Sequence, residues 1–221
     1  MRRALTGWLV AVVLFSTAGC KGKPAAPVPA TPVQQAAAME LGFAAGSFMA
    51  QYTQPLEART ESAGKFARSE ASLHTFMGRI PVNDADATSI VSAWLDGFDD
   101  PNPERGGPLL TQGVNDLLQR LSAGANPELF WVFKVGFTLA YEVESVNVLS
   151  QGSPQPEHVQ PFAVRTARYR ATLEADLEQA GLPQEVAEAA QGANIEIRSV
   201  SDLFAITRAG LKVKGLVNQY Q

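Results

Sequence analysis

The chain has a single cysteine and only two histidines among its 221 residues. One thiol cannot form a disulfide within the chain, so the fold must depend on buried apolar surface. His74 and His158 lie on separate segments. The sequence also has no His-Glu-x-x-His motif, no Cys-x-x-Cys-His motif and no glycine-rich phosphate loop. We therefore expect no metal, no haem and no other cofactor.

A surplus of basic residues is also missing. Lys and Arg number 18 and Asp and Glu number 22, which gives a formal net charge of −4. Proteins that bind nucleic acid generally carry a basic surplus that displaces counterions from phosphates. We therefore expect no nucleic-acid partner. The apolar run near the N-terminus, Leu5–Phe15, is about 11 residues long, short of the roughly 20 that a helix needs to span a bilayer.

The first twenty residues contain the pattern of an export signal. Arg2 and Arg3 precede the apolar run, and small residues follow it up to Cys20. This segment resembles a bacterial lipoprotein signal peptide whose lipobox is Thr17-Ala18-Gly19-Cys20. The alternative is an ordinary secretory signal that happens to contain a cysteine.

The resemblance implies a location in the cell envelope and a lipid anchor. Residues 1–19 would be removed, Cys20 would carry diacylglycerol on its sulfur, and the new amino terminus would be acylated. Two or three acyl chains hold a protein on a membrane stably. Loss of Arg2 and Arg3 would take the net charge from −4 to −6. Lys21, where an Asp would signal retention at the inner membrane, suggests the outer membrane by resemblance to enterobacterial sorting.

The composition then predicts a linker followed by a helical domain. Residues 20–35 contain four prolines, which remove amide donors and favour extended conformations. We predict that this segment is a spacer and that residues 36–221 form the helical domain.

Apolar residues recur at spacings of three and four through most of that domain. The pattern predicts an all-α fold, a bundle of about seven or eight helices. Asp99–Pro108 is rich in Pro and Gly and is predicted as a loop, with Pro108 in the first turn of the next helix. Asn126 and Pro127 open the most apolar helix, which runs to about Ser150. Ser199 and Asp202 form a capping pattern at the start of the last helix.

A short pattern occurs twice. Phe43, Gly46 and Ala50 have the same spacing as Phe133, Gly136 and Ala140, ninety positions later. One interpretation is a duplicated bundle of two similar halves. The other, which we favour, is that close helix packing selects small residues in any bundle.

The predicted helix from Asn126 carries a polar stripe. Lys134, Thr138, Glu142 and Ser145 are spaced by four and three residues and therefore share one face. The favoured interpretation is the solvated edge of a central helix. The alternative is a polar pocket in which Lys134 and Glu142 perturb each other's ionisation.

Charges on the next predicted helix have an unusual order. Arg165, Arg168 and Arg170 precede three acidic residues, which opposes the helix macrodipole. We expect these arginines to have acidic partners within the fold, and a partner on another protein is the alternative.

Two patterns of catalysis or metal binding have weaker support. Glu144-Ser145 is similar to the Glu-Ser pair of lytic transglycosylases, but the Gly-Leu-Met-Gln-type segment that follows it in that family is missing. The acidic loop residues between Asp96 and Glu104 lack the spacing of an EF-hand, so we interpret them as solvent-exposed acids. No nucleophile or acid-base pair is marked by a motif.

The sequence thus favours a non-enzymatic envelope lipoprotein, anchored at Cys20, whose helical domain binds or scaffolds another envelope protein. The alternatives are a peptidoglycan hydrolase of the lytic-transglycosylase type and a binder of a small apolar ligand inside the bundle.

Overall fold

The structure is a computed structural model, and it describes residues 29–52, 54 and 70–220. This part of the chain contains eight α-helices, two short 3-10 helices and no strand, which confirms the all-α prediction. The predicted signal peptide, Cys20 and most of the linker lie outside the described residues. The helices are α1 (Pro32–Gln51), α2 (Glu70–Met77), α3 (Asp84–Asp99), α4 (Pro103–Ala123), α5 (Glu128–Ser150), α6 (Val159–Ala180), α7 (Gln184–Gln191) and α8 (Val200–Val217).

The first helix begins at Pro32, so the predicted linker boundary at residue 35 is wrong. Thr31 and Gln34 form a capping box. The backbone amide of Gln34 donates to Thr31 Oγ1 at 3.3 Å, and the backbone amide of Thr31 donates to Gln34 Oε1 at 2.8 Å. Pro32 suits the first helical position because its missing amide donor is not needed there. The cap at Thr31 therefore determines where α1 begins, although four prolines lie between residues 20 and 35.

The predicted loop Asp99–Pro108 is also wrong in its second half, because α4 begins at Pro103. Asn102 Oδ1 accepts a hydrogen bond from the Glu104 amide at 2.9 Å and caps the helix. Pro108 lies inside α4 instead of at its start.

The centre of the bundle is a parallel pair of helices, α1 and α5, whose backbones nearly touch. A Cβ added to Gly42 would lie 2.2 Å from the Phe133 carbonyl oxygen, and one added to Gly46 would lie 2.2 Å from that of Phe137. The two copies of the repeated pattern therefore pack on one another.

The other helices surround this pair. α3 and α4 form a hairpin on one side, α6 packs along α5, and α7 pairs with α8, which also packs on α5. Phe48, Trp94, Phe98 and Phe133 are fully buried between them. None of the helices in residues 29–52 and 70–220 combines the length and the apolar character needed to cross a membrane.

Candidate functional site: a groove between α4 and α6

The polar stripe of α5 faces α6 and is mostly buried. Thr138, Glu142 and Ser145 are all inaccessible to solvent or nearly so, and the side chain of Lys134 is 27 % exposed. The interpretation as a solvated edge is therefore wrong. α6 covers the stripe with polar side chains of its own, so that burial is accompanied by hydrogen bonding.

Glu142 is paired with Arg170 of α6. Arg170 Nη1 donates to Glu142 Oε1 at 2.5 Å, while its Nη2 donates to the carbonyl oxygens of Ala193 and Ile195, at 3.2 Å to Ala193. Arg170 thus ties the segment between α7 and α8 to α5. Glu142 Oε2 is buried with no hydrogen-bond partner in the described part of the chain. Burial raises the pKa of Glu142 to about 7, against the opposing effects of the Arg170 charge and hydrogen bond.

Lys134 pairs with Asp176, and Glu142 pairs with Arg170. The alternative prediction, in which Lys134 and Glu142 perturb each other's ionisation, is therefore wrong. Lys134 Nζ donates to Asp176 Oδ1 at 2.6 Å, and the Thr172 hydroxyl donates to Asp176 Oδ2 at 2.9 Å. The ammonium group also lies 5.0 Å from the centre of the Trp131 ring. The charge of Lys134 is therefore matched inside the fold.

The three arginines of α6 have different surroundings. Arg170 has the intramolecular acidic partner that we expected. Arg165 Nε instead donates to the Ser145 hydroxyl at 2.9 Å, and its Nη2 donates to the Ala50 carbonyl oxygen. Arg168 is exposed, lies 5.9 Å from the centre of the Tyr169 ring, and forms no ion pair with any described residue.

A groove of about 370 Å³ opens beside Arg168, between α4 and α6, with α5 as its floor. This volume lies in the range of small-molecule sites, roughly 300–1,000 Å³. No carboxylate belongs to the lining. The lining residues are Met49, Thr111, Val114, Asn115, Leu118, Phe133, Lys134, Phe137, Thr138, Arg168, Tyr169 and Thr172.

Aromatic rings form the floor near Arg168. The ring centres of Phe137 and Tyr169, which both line the groove, are 5.0 Å apart, and Tyr141, outside the lining, packs on Tyr169 with ring centres 4.7 Å apart. Burial raises the pKa of Tyr169, so its hydroxyl is neutral and able to donate a hydrogen bond. The groove therefore offers an apolar, aromatic floor with polar groups at its edge.

The two patterns with weaker support lie elsewhere. Glu144 is outside the groove lining, where its Oε2 accepts from Gln51 Nε2 at 3.2 Å, and Ser145 is bound by Arg165. Asp100 is buried in an ion pair with Arg105, so the prediction of exposed loop acids is wrong for this residue. Within residues 29–52 and 70–220 no three His, Cys, Asp or Glu side chains are arranged to hold a metal ion.

Sequence reasoning found the polar face of α5 but not the groove. The order of charges on α6 indicated that partners were needed, yet it did not identify Glu142 as the partner of Arg170. Thr111 and Leu118 of α4 carried no signal beyond an amphipathic helix. Comparisons with protein-family models, with characterised proteins and with solved structures give no match.

Proposed function

We propose that this protein is a lipid-anchored binding protein of the bacterial envelope. Its helical domain takes a small amphiphilic ligand, with an apolar body and one anionic group, in the groove between α4 and α6. The observation that supports this proposal is the groove itself, in which an aromatic floor adjoins an arginine, Arg168, with no acidic partner among the described residues.

The floor favours an apolar body. Phe133 and Phe137 are almost fully buried, and Met49, Val114 and Leu118 extend the apolar surface towards α1 and α4. Each methylene group that leaves water for such a surface contributes about 0.8 kcal/mol. An acyl or aromatic body is therefore the chemistry that this surface stabilises.

The edge favours an anion. Two basic residues line the groove, Lys134 and Arg168, and the charge of Lys134 is already matched by Asp176. Arg168 has no such partner among the described residues, and its planar guanidinium suits a carboxylate, sulfate or phosphate group. The lining contains no acid that would repel an anion.

The anchor is the second part of the proposal. It is supported by the resemblance of residues 1–20 to a lipoprotein signal peptide, with Cys20 as the acylated residue and the outer membrane as the expected location. A hydrolytic role has less support, because a general acid for glycosidic cleavage is a carboxyl group and none lines the groove. Binding of another envelope protein stays a prediction from the sequence.

The binding proposal can be tested on the full chain in lipid nanodiscs. A photoreactive diazirine analogue of decanoate is the probe, and the analogue of decanol is its uncharged match. We expect decanoate to label peptides from α4 and α5 and to be displaced by unlabelled decanoate. Thr111→Trp, which fills the groove from its edge, should abolish labelling by both probes.

Arg168→Gln separates charge from shape. We expect it to reduce labelling by decanoate about tenfold, equivalent to about 1.4 kcal/mol, and to leave labelling by decanol unchanged. Val164→Trp, on an exposed part of α6 outside the groove lining, is the matched control. Labelling that Thr111→Trp and Arg168→Gln both leave intact would contradict the proposal, as would labelling confined to other helices.

A further inference from the structure

We infer that the exposed face of α8 rests on an anionic lipid bilayer. This surface, called the α8 face here, consists of Phe204, Arg208, Leu211, Lys212 and Lys214. It is separate from the groove and goes beyond the proposed ligand binding, although one step rests on the proposed anchor.

The centre of the α8 face is apolar and exposed. Phe204 is 49 % exposed and Leu211 is 59 % exposed, and they are two of the four large apolar residues with such exposure in the described chain. Their spacing of seven residues places them within about 20° of each other around the helix axis. They therefore form one continuous strip along two turns.

Basic residues flank this strip on both sides. At 100° per residue, Arg208 and Lys212 lie on one side of the Phe204–Leu211 line, and Lys214 lies on the other. No acidic residue occurs from residue 203 to residue 221, in a chain whose net charge is −4. None of the three basic residues forms an ion pair with a described residue. The α8 face is thus a local cationic surface on an acidic protein.

This combination favours a bilayer as the occupant. Helices that lie in the membrane interface insert a few apolar and aromatic side chains between the lipids, while Lys and Arg at the edges meet anionic headgroups. Charge complementarity therefore points to lipids that carry negative charge.

The end of α8 also lies where the chain enters the domain. Val217 and Tyr220 line a small cavity together with Pro32 and Gln35 at the start of α1, and the Ala30 amide donates to Glu128 Oε1 at 2.5 Å. If Cys20 is the anchor, eleven residues lie between it and Pro32, and this stretch reaches at most about 43 Å. The anchor would then keep this end of the bundle within reach of the lipid surface.

The test uses the full chain, purified from bacterial membranes and reconstituted in vesicles. Gly215→Cys supplies a thiol on the same side of α8 without altering Phe204 or Leu211, because nothing lies within 4 Å of the Cβ that it adds. Ala175→Cys, exposed on α6, is the matched control. Each thiol carries a bimane fluorophore, and lipids with a nitroxide near the headgroup act as the quencher.

In vesicles that contain phosphatidylglycerol, we expect quenching at residue 215 to exceed quenching at residue 175 about threefold or more. The excess should fall in vesicles of phosphatidylcholine alone. It should also fall when Arg208, Lys212 and Lys214 are all replaced by Gln, a set of exposed changes that leaves the core intact.

Separate results would contradict the contact of the α8 face with lipid and the anchor at Cys20. Equal quenching at residues 215 and 175 in chains that remain on the vesicles would overturn the inference and leave the anchor in place. Protection of residue 215 from aqueous iodide without lipid quenching would instead indicate a second copy or another protein and would also overturn it. Labelling of Cys20 in the unsubstituted chain would contradict the anchor itself.

Discussion

Helix α5 meets α1 on one side and α6 on another, and the two interfaces are stabilised in different ways. Towards α1, Gly136 would place an added Cβ 2.5 Å from the Met39 carbonyl oxygen, so the backbones fit by shape. Towards α6, Glu142 and Lys134 meet Arg170 and Asp176 in two ion pairs. One interface depends on the absence of side chains and the other on their charge.

The two interfaces should differ in how well they tolerate substitutions. The close backbone contact between α1 and α5 has no room for a methyl group. A carbonyl group of either helix that faces a glycine of the other cannot move without displacing its whole helix. A buried ion pair is costly to form and costly to break, yet it can be replaced as a unit by apolar residues of similar volume. The α1 interface should therefore be intolerant of any addition, and the α6 interface should tolerate paired changes.

The largest effect is expected from Gly46→Ala. Its Cβ would meet the Phe137 carbonyl oxygen at 2.2 Å, so we expect the free energy of unfolding to fall by about 4 kcal/mol or more. Gly215→Ala, at an exposed position of α8, is the matched control, and it should raise stability by up to about 1 kcal/mol through helix propensity. Denaturant unfolding followed by circular dichroism measures both. A loss below about 1 kcal/mol at Gly46 would mean that α1 and α5 are not in backbone contact.

The next effect tests the charged interface. Arg170→Met leaves Glu142 buried without its cation and releases the carbonyl groups of Ala193 and Ile195. We expect a loss of about 3 kcal/mol at pH 8. The double variant Glu142→Leu with Arg170→Met should recover most of it, as measured by the same unfolding curves. A double variant that is no more stable than Arg170→Met would contradict the distinction between the two interfaces.

The smallest effect is a dependence on pH. Because the pKa of Glu142 is about 7 in the folded protein and lower in the unfolded chain, the folded state binds the extra proton between about pH 4.5 and 7. Stability from this group is therefore lost as the pH rises through that window, by about 2 kcal/mol between pH 5 and 7. Glu142→Gln lacks this contribution, so the stability of the unsubstituted chain relative to the variant should decline with pH. A constant difference between the two chains would disprove the shift.

Local signals in the sequence were sufficient for parts of the fold. The start of α8 was predicted from Ser199 and Asp202, and the structure confirms their capping box. The start of α4 was missed because the prediction weighed Pro and Gly content above the cap that Asn102 provides. The start of a helix depends on neighbours in sequence, so the cap that Asn102 provides is a local signal for the start of α4.

The candidate site depends on contacts that spacing cannot supply. The spacing of Lys134, Thr138, Glu142 and Ser145 correctly predicted a shared face, but their burial follows from the packing of α6 across α5. The groove exists because α4 and α6 both pack on α5 and stay apart from each other. That separation is a property of tertiary packing, and the spacing of apolar residues along α4 and α6 does not indicate it.

The parallel arrangement of α1 and α5 has a mechanical consequence. The component along α1 of any pull on the chain ahead of Pro32 would load the contact of α1 with α5 in shear. Gly42 and Gly46 lie against the carbonyl groups of Phe133 and Phe137, so sliding would force one backbone over the other. The helix that receives such a load first is therefore one whose displacement along α5 is opposed by direct backbone contact.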